Sequence, residues 1–206
     1  SIRTYVSEFD TVTIREALLR EHYRGGQSFF VVPRIKDLPE IEEFLTTQVP
    51  EVNYVVAHGQ MAASELDQRM NAFYDGKFNV LLATTIVESG LDIPSANTMV
   101  MHRSDMFGLS QLYQLRGRVG RGSVRAQCLL LLPESATRES RRRVQVMVEN
   151  SGLGAGFQVA AADLEMRGAG NLVGKAQTGN IDAVGYEVWL ELLEQAGPEF
   201  VAFLPF

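Results

Sequence analysis

The chain has 206 residues, 46% of them hydrophobic and 21% charged, with a formal net charge of −6 at pH 7. Such values fit one ordinary globular domain with a small appendage and exclude extensive disorder. No run of about 18 apolar residues exists, which excludes a membrane-spanning helix, and the lone Cys128 excludes a disulfide framework or a cysteine-rich zinc site. No secretory leader is read at the start, and a chain opening on Ser reads as part of a longer protein.

In chain order, helices and strands alternate. Thr11 to Arg24 reads as a helix with Ile14, Leu18 and Leu19 on one face, ended by Gly25-Gly26. Gln27 to Val32 reads as a buried strand, and 38–48 as a helix with Pro39 in its first turn. Asn53 to Ala57 is a second strand, and Ala63 to Asp75 a helix facing inward through Leu66, Met70 and Phe73. Asn79 to Ala83, Thr98 to Met101 and Ala126 to Leu132 complete five strands, with a helix starting at Leu109 between the last two. Continuous apolar strands mark a parallel sheet covered on both faces by helices. The expected fold is thus α/β over residues 1–133.

Past Pro133 the pattern becomes a helical extension, 134–206. Ser135 to Glu149 reads as an arginine-rich helix, Ser151 to Gly156 as a glycine break, and Phe157 to Met166 as helical. Arg167 to Gly179 carries too much glycine for a regular element, and Val184 to Gln195 reads as an amphipathic helix.

A negative net charge argues against a wholly basic surface. Between Arg116 and Arg143, however, stand Arg116, Arg118, Arg121, Arg125, Arg138, Arg141, Arg142 and Arg143, opposed only by Glu134 and Glu139. That concentration points to a local phosphate site on an acidic body. Within it, Gln111 to Arg121 reads Q-L-Y-Q-L-R-G-R-V-G-R. A helical turn would place Arg118 and Arg121 on one face, with Gly117 and Gly120 allowing close approach. Two guanidinium forks beside bare backbone suit a polyphosphate.

Thr84 and Thr85 follow a strand end, where ligand sites of parallel sheets form. They offer hydroxyls and backbone N–H groups to phosphates, while Gly90 permits unusual backbone angles and Asp92 suits a ribose hydroxyl. His58, after the second strand, is either a phosphate donor or an ordinary structural histidine. His22 and His102 lack partners at metal spacing, so no metal site is expected. Gly168 to Lys175 is not a P-loop: its glycines are misspaced and Ala176 stands where Ser or Thr is needed. Nor does an acidic pair at a strand end offer to hold Mg²⁺.

Arginines for a phosphate without a cradle for it resemble the second motor lobe of superfamily 2 helicases and translocases. The resemblance covers about residues 25–133 and implies a RecA-like sheet facing a first RecA-like lobe. ATP and Mg²⁺ would be bound jointly with that first lobe. It implies catalytic roles for Gln114, Arg118 and Arg121, nucleotide contacts at Gly90 and Asp92, and DNA contacts at His58, Thr84 and Thr85. In the extension, Gly154 to Phe157, Asp163 to Gly168 and Gln177 to Gly179 resemble the translocation motif shared by RecG helicases and bacterial transcription-repair coupling factors. In that motif a helical hairpin and loop couple ATP turnover to movement on double-stranded DNA. Arg143 would lie on the hairpin helix, and Arg167 and Gln177 on the loop. Asp105 to Tyr113, Leu153 to Phe157 and Val184 to Glu194 are similar to the coupling-factor family in particular.

That resemblance implies a cytoplasmic bacterial motor that displaces stalled RNA polymerase. RNA polymerase and excision-repair proteins would be bound through regions outside this chain. The isolated chain would be silent as an ATPase. Fork reversal of the RecG kind and a non-catalytic nucleic-acid-binding module are the competing readings. Gly197 to Phe206 follows no pattern of the family, and Gly174-Lys175-Ala176 stands where an acidic pair is commoner.

Overall fold

The computed structural model describes residues 2–84, 93–152 and 154–173. Among the described residues six strands form one sheet: β1 (Ile2–Ser7), β2 (Gln27–Val31), β3 (Tyr54–Ala57), β4 (Val80–Ala83), β5 (Ala96–Met101) and β6 (Ala126–Leu131). Six α-helices among those residues accompany them: α1 (Thr11–Tyr23), α2 (Leu38–Gln48), α3 (Ala63–Tyr74), α4 (Leu109–Arg116), α5 (Arg138–Glu149) and α6 (Ala155–Val173). The sheet order is β1-β6-β5-β2-β4-β3, and every pairing is parallel.

The continuous apolar strands explain the layering. Residues alternate between faces, so Phe29, Val31, Met99, Met101, Cys128 and Leu130 enter one core while Phe30, Val32, Val100, Leu129 and Leu131 enter the other. The second core is closed by Ile14 and Leu18 of α1 with Ile41, Phe44 and Leu45 of α2. The first is closed by Met70 and Phe73 of α3, Leu112 and Leu115 of α4, Val144 and Met147 of α5, and Val159 of α6. Cys128 is fully buried there, and burial pushes its thiol up to about 12.

Two expectations are corrected. β1 was not expected: Ile2–Ser7 is no apolar run but an edge strand with alternating exposure, held in register by β6 from Ile2 opposite Ala126 to Ser7 opposite Leu131. The stretch from Arg167 was expected to be irregular, yet α6 continues through Gly168 and Gly170 to Val173. Each interior glycine costs about 1 kcal/mol against alanine. The strong helix formers from Ala160 to Arg167 and the Arg167–Asp163 ion pair one turn apart outweigh that. The expected helix Val184 to Gln195 and the tail Gly197 to Phe206 lie outside the described residues.

Candidate nucleotide and nucleic-acid interface

The chain leaves β2 towards α2 on one face of the sheet and leaves β5 towards α4 on the other. The crevice between these strand ends is where open α/β sheets bind ligands. Arg34, after β2, grips Asp37 through Nε and Nη2 at 3.0 and 2.8 Å. Arg103, after β5, grips Asp105 in the same way at 3.0 and 2.9 Å. Arg103 adopts left-handed backbone angles, φ 51° and ψ 55°, unusual for a residue with a side chain. The Arg103 hydrogen bond holds the Asp105 carboxyl below its ordinary range, against burial. His102 lies between the pairs, 7% exposed, with its Nδ1 buried and lacking a hydrogen-bond partner among the described residues. Motif reading missed this cluster; an arginine two or three residues past each strand end was the available signal.

Of the expected nucleic-acid contacts, His58 stands half-buried at the end of β3. Its Nδ1 accepts from the Gln60 N–H at 3.2 Å, which leaves the proton on Nε2 as a donor. Thr84 corrects the expectation in part. It is 7% exposed, and its N–H donates to the Ala57 carbonyl at 3.3 Å, so the strand ladder uses the amide meant for a phosphate. Thr85, Gly90 and Asp92 lie outside the described residues.

The arginine motif is also rearranged relative to expectation. α4 stops at Arg116, so Arg118 and Arg121 do not share a helical face. They occupy a turn in which Arg118 N–H donates to Leu115 O and Val119 N–H to Arg116 O. Buried Val119 pins this turn to the core, and Gly120 reverses it at φ 81°. Arg121 is exposed and its Nε donates to the Gly117 carbonyl at 3.3 Å, while Gln114 and Arg118 are half-buried. Gly120 is there for the backbone rather than for a ligand: a β-carbon would meet Ile2 Cγ1 at 2.9 Å.

Arg116, counted by the sequence reading in a local phosphate site, lies in the interior instead. It is 3% exposed. Its Nη1 donates to Met147 O at 2.6 Å and to Thr4 Oγ1 at 3.3 Å, and its Nη2 to Asn150 O at 2.6 Å. Its guanidinium lies 5.6 Å from the Tyr113 ring centroid. Burial pulls its pKa below the ordinary value. A count of charges along the sequence does not distinguish such a residue from a solvated one.

In the extension, Arg143 lies on α5 as expected. Its Nη2 donates to Asp105 O at 3.1 Å and to Ser140 Oγ at 3.2 Å, and its Nη1 pairs with Glu139. Arg167 was expected on a loop; it lies on α6, with Nε 3.2 Å from Asp163 Oδ2. Gln177 lies outside the described residues. Among the described residues no three His, Cys, Asp or Glu side chains gather as a metal site. No helix there is long and apolar enough to cross a membrane.

An all-parallel sheet covered by helices on both faces, with an arginine turn between α4 and β6, is a RecA-like lobe of the helicase C-terminal class. Residues 11–123 match the family described as the helicase conserved C-terminal domain, and the chain belongs to that family. Within it, the chain is similar to the transcription-repair-coupling factors of Rickettsia bellii (53% identical over 196 residues) and Escherichia coli (44% over 198). These alignments cover 94% and 95% of this chain but 18% and 17% of those proteins, so the chain spans under a fifth of their length. A structure of RecG bound to a three-way DNA junction superposes with a TM-score of 0.71 at 35% identity, over 93% of this chain and 26% of that one.

Proposed function

We propose that the chain is the second motor lobe of an ATP-driven double-stranded DNA translocase of the transcription-repair-coupling kind. The observation that carries this reading is the reach of the similarity. It extends over 94% of the chain, past the helicase domain at residue 123 and across the α5–α6 extension. In this reading residues 1–133 are the RecA-like lobe and 134–206 the translocation hairpin, loop and C-terminal helix. The whole motor displaces stalled RNA polymerase in the bacterial cytoplasm and hands the site to nucleotide excision repair, both partners being held by other regions.

ATP and Mg²⁺ sit between this lobe and its P-loop partner. The guanidinium forks of Arg118 and Arg121, carried on a turn past the end of α4, suit the γ-phosphate, and Gln114 is assigned to the same cleft. Charge developing on a transferring phosphoryl group is what such arginines stabilise. Gly90 and Asp92 are assigned the nucleotide contacts. His58, Thr84 and Thr85 follow the DNA strand, Thr84 through its side chain because its amide is taken. Arg143, Arg167 and Gln177 couple turnover to movement. The Mg²⁺ ligands belong to the other lobe.

The test is DNA-stimulated ATPase on a chain joining this lobe to its P-loop lobe, with and without Arg121→Ala, beside this chain alone. The joined chain should be active, the substitution should remove about 10³-fold or more of the rate, and this chain alone should be silent. An unchanged rate in Arg121→Ala would make a non-catalytic DNA-binding module the better reading. Activity on branched DNA without polymerase displacement would favour the RecG-like reading, which the RecG superposition supports.

A further inference from the structure

The segment that leads into the turn carrying Arg118 and Arg121 is clamped to α5 at two places, one on either side of α4. Ahead of α4, the Asp105 carbonyl accepts from Arg143 Nη2, and Ser140 Oγ lies 3.5 Å from the same oxygen. At the end of α4, Arg116 reaches past α5 to the carbonyls of Met147 and Asn150. Those carbonyls close the carboxyl end of α5, where orphan acceptors and the helix dipole both favour a cation. The same residue builds the arginine turn from its main chain, since Arg116 O receives the Val119 N–H. One residue therefore holds the hairpin with its side chain and the turn with its backbone.

A purely space-filling role does not account for this choice. A buried cation without a carboxylate partner is costly unless its donors are satisfied. An apolar side chain of similar volume would fill the space at lower cost, whereas a forked guanidinium alone spans two splayed carbonyls and a threonine hydroxyl. Tyr113, one turn earlier, lies against that guanidinium and touches α6 at Gly156, where an added β-carbon would stand 2.7 Å from its hydroxyl. The last turn of α4 is thus seated on both helices of the hairpin.

We propose that Arg116 is a positioning residue that locks the arginine turn, residues 117–121, to the carboxyl end of α5, so that turn and hairpin shift as one body during each hydrolysis cycle. This rests on the reading of Arg118 and Arg121 as the groups facing the γ-phosphate. Arg116 is buried, and it acts through its neighbours.

The test uses the joined two-lobe chain with Arg116→Lys, which keeps the charge but reaches one carbonyl at a time, and Arg116→Met, which keeps the bulk. Arg116→Lys should unfold near the parent's midpoint. Its kcat for ATP should drop about 3- to 30-fold while KM stays within about twofold. Amide exchange should quicken together in 117–121 and 147–150, with the strands unchanged. A parental kcat in Arg116→Lys overturns the proposal, as does loosening of one segment alone. So does a loss of activity that merely tracks the unfolded fraction in both variants, or an Arg116→Lys chain that does not fold. If Arg121→Ala hydrolyses ATP normally, the motor reading fails instead, and the paired exchange still decides whether Arg116 ties turn to hairpin.

Discussion

Gly120 shows how little room single residues have around the arginine turn. Its φ of 81° disfavours any side chain, and the space a methyl group would need is filled by Ile2 and Ala126. Gly120→Ala should therefore destabilise the chain by about 1–3 kcal/mol, read as a lower urea midpoint with unchanged slope. His102 supplies a pH dependence. Burial holds its imidazole below the ordinary value of 6.5 and Arg103 pushes the same way, against Glu40, Asp37 and Asp105. The unfolded chain takes up the proton first, so stability present above about pH 6.5 falls as pH drops towards the folded value. Denaturant midpoints at about pH 7.5 and about 5.5 should differ in the parent and converge in His102→Gln. At this scale the sequence was a mixed guide. The spacing of Arg118 and Arg121 marks them as a motif, but the helical face expected of them gave way to a turn beyond the end of α4. Arg116 was not, because burial is a property of the folded neighbours and not of a charge run.

Among the elements, the buried strands were legible because an apolar run of strand length has few other uses. β1 was missed because an edge strand is half solvated and shows no run. α6 was cut short because two glycines outweighed the helix formers before them in a reading by composition, whereas cooperativity carries a helix through such positions. The α4–α6 contact was not legible either, since Gly156 looks like part of a loop until Tyr113 is placed against it. Gly156→Ala should gain up to about 1 kcal/mol of helix propensity and lose about 1–3 kcal/mol to the clash. The net effect is a lower thermal midpoint. Tyr113→Phe in the same chain should recover most of that loss, and a loss that persists without the hydroxyl would place the cost elsewhere.

As a whole molecule the chain carries −6, and the proposed DNA contacts, His58, Thr84 and Thr85, bring no lysine or arginine to offset it. DNA binding by this chain alone should be weak. If two or three phosphates are contacted, affinity for a short duplex should fall about ten- to fortyfold between about 50 and 200 mM salt. Fluorescence anisotropy across that range measures the slope, and salt-independent binding would contradict the placement of the DNA contacts. The lobe's architecture was readable from alternating elements, but the sheet order was not. Nothing local says that the first strand lies beside the last.

That neighbour relation has a consequence in time. Ile2 finds its partner Ala126 roughly 120 residues later, a closure that costs about 4 kcal/mol in chain entropy. During synthesis at about 5–20 residues per second, β1 leaves the ribosome on the order of ten seconds before β6 exists to receive it. Over that interval Tyr5 and Val6 offer an apolar strand to any other growing chain. Arg3, exposed beside them, puts a charge on the waiting edge, the means by which natural strands discourage pairing with strangers.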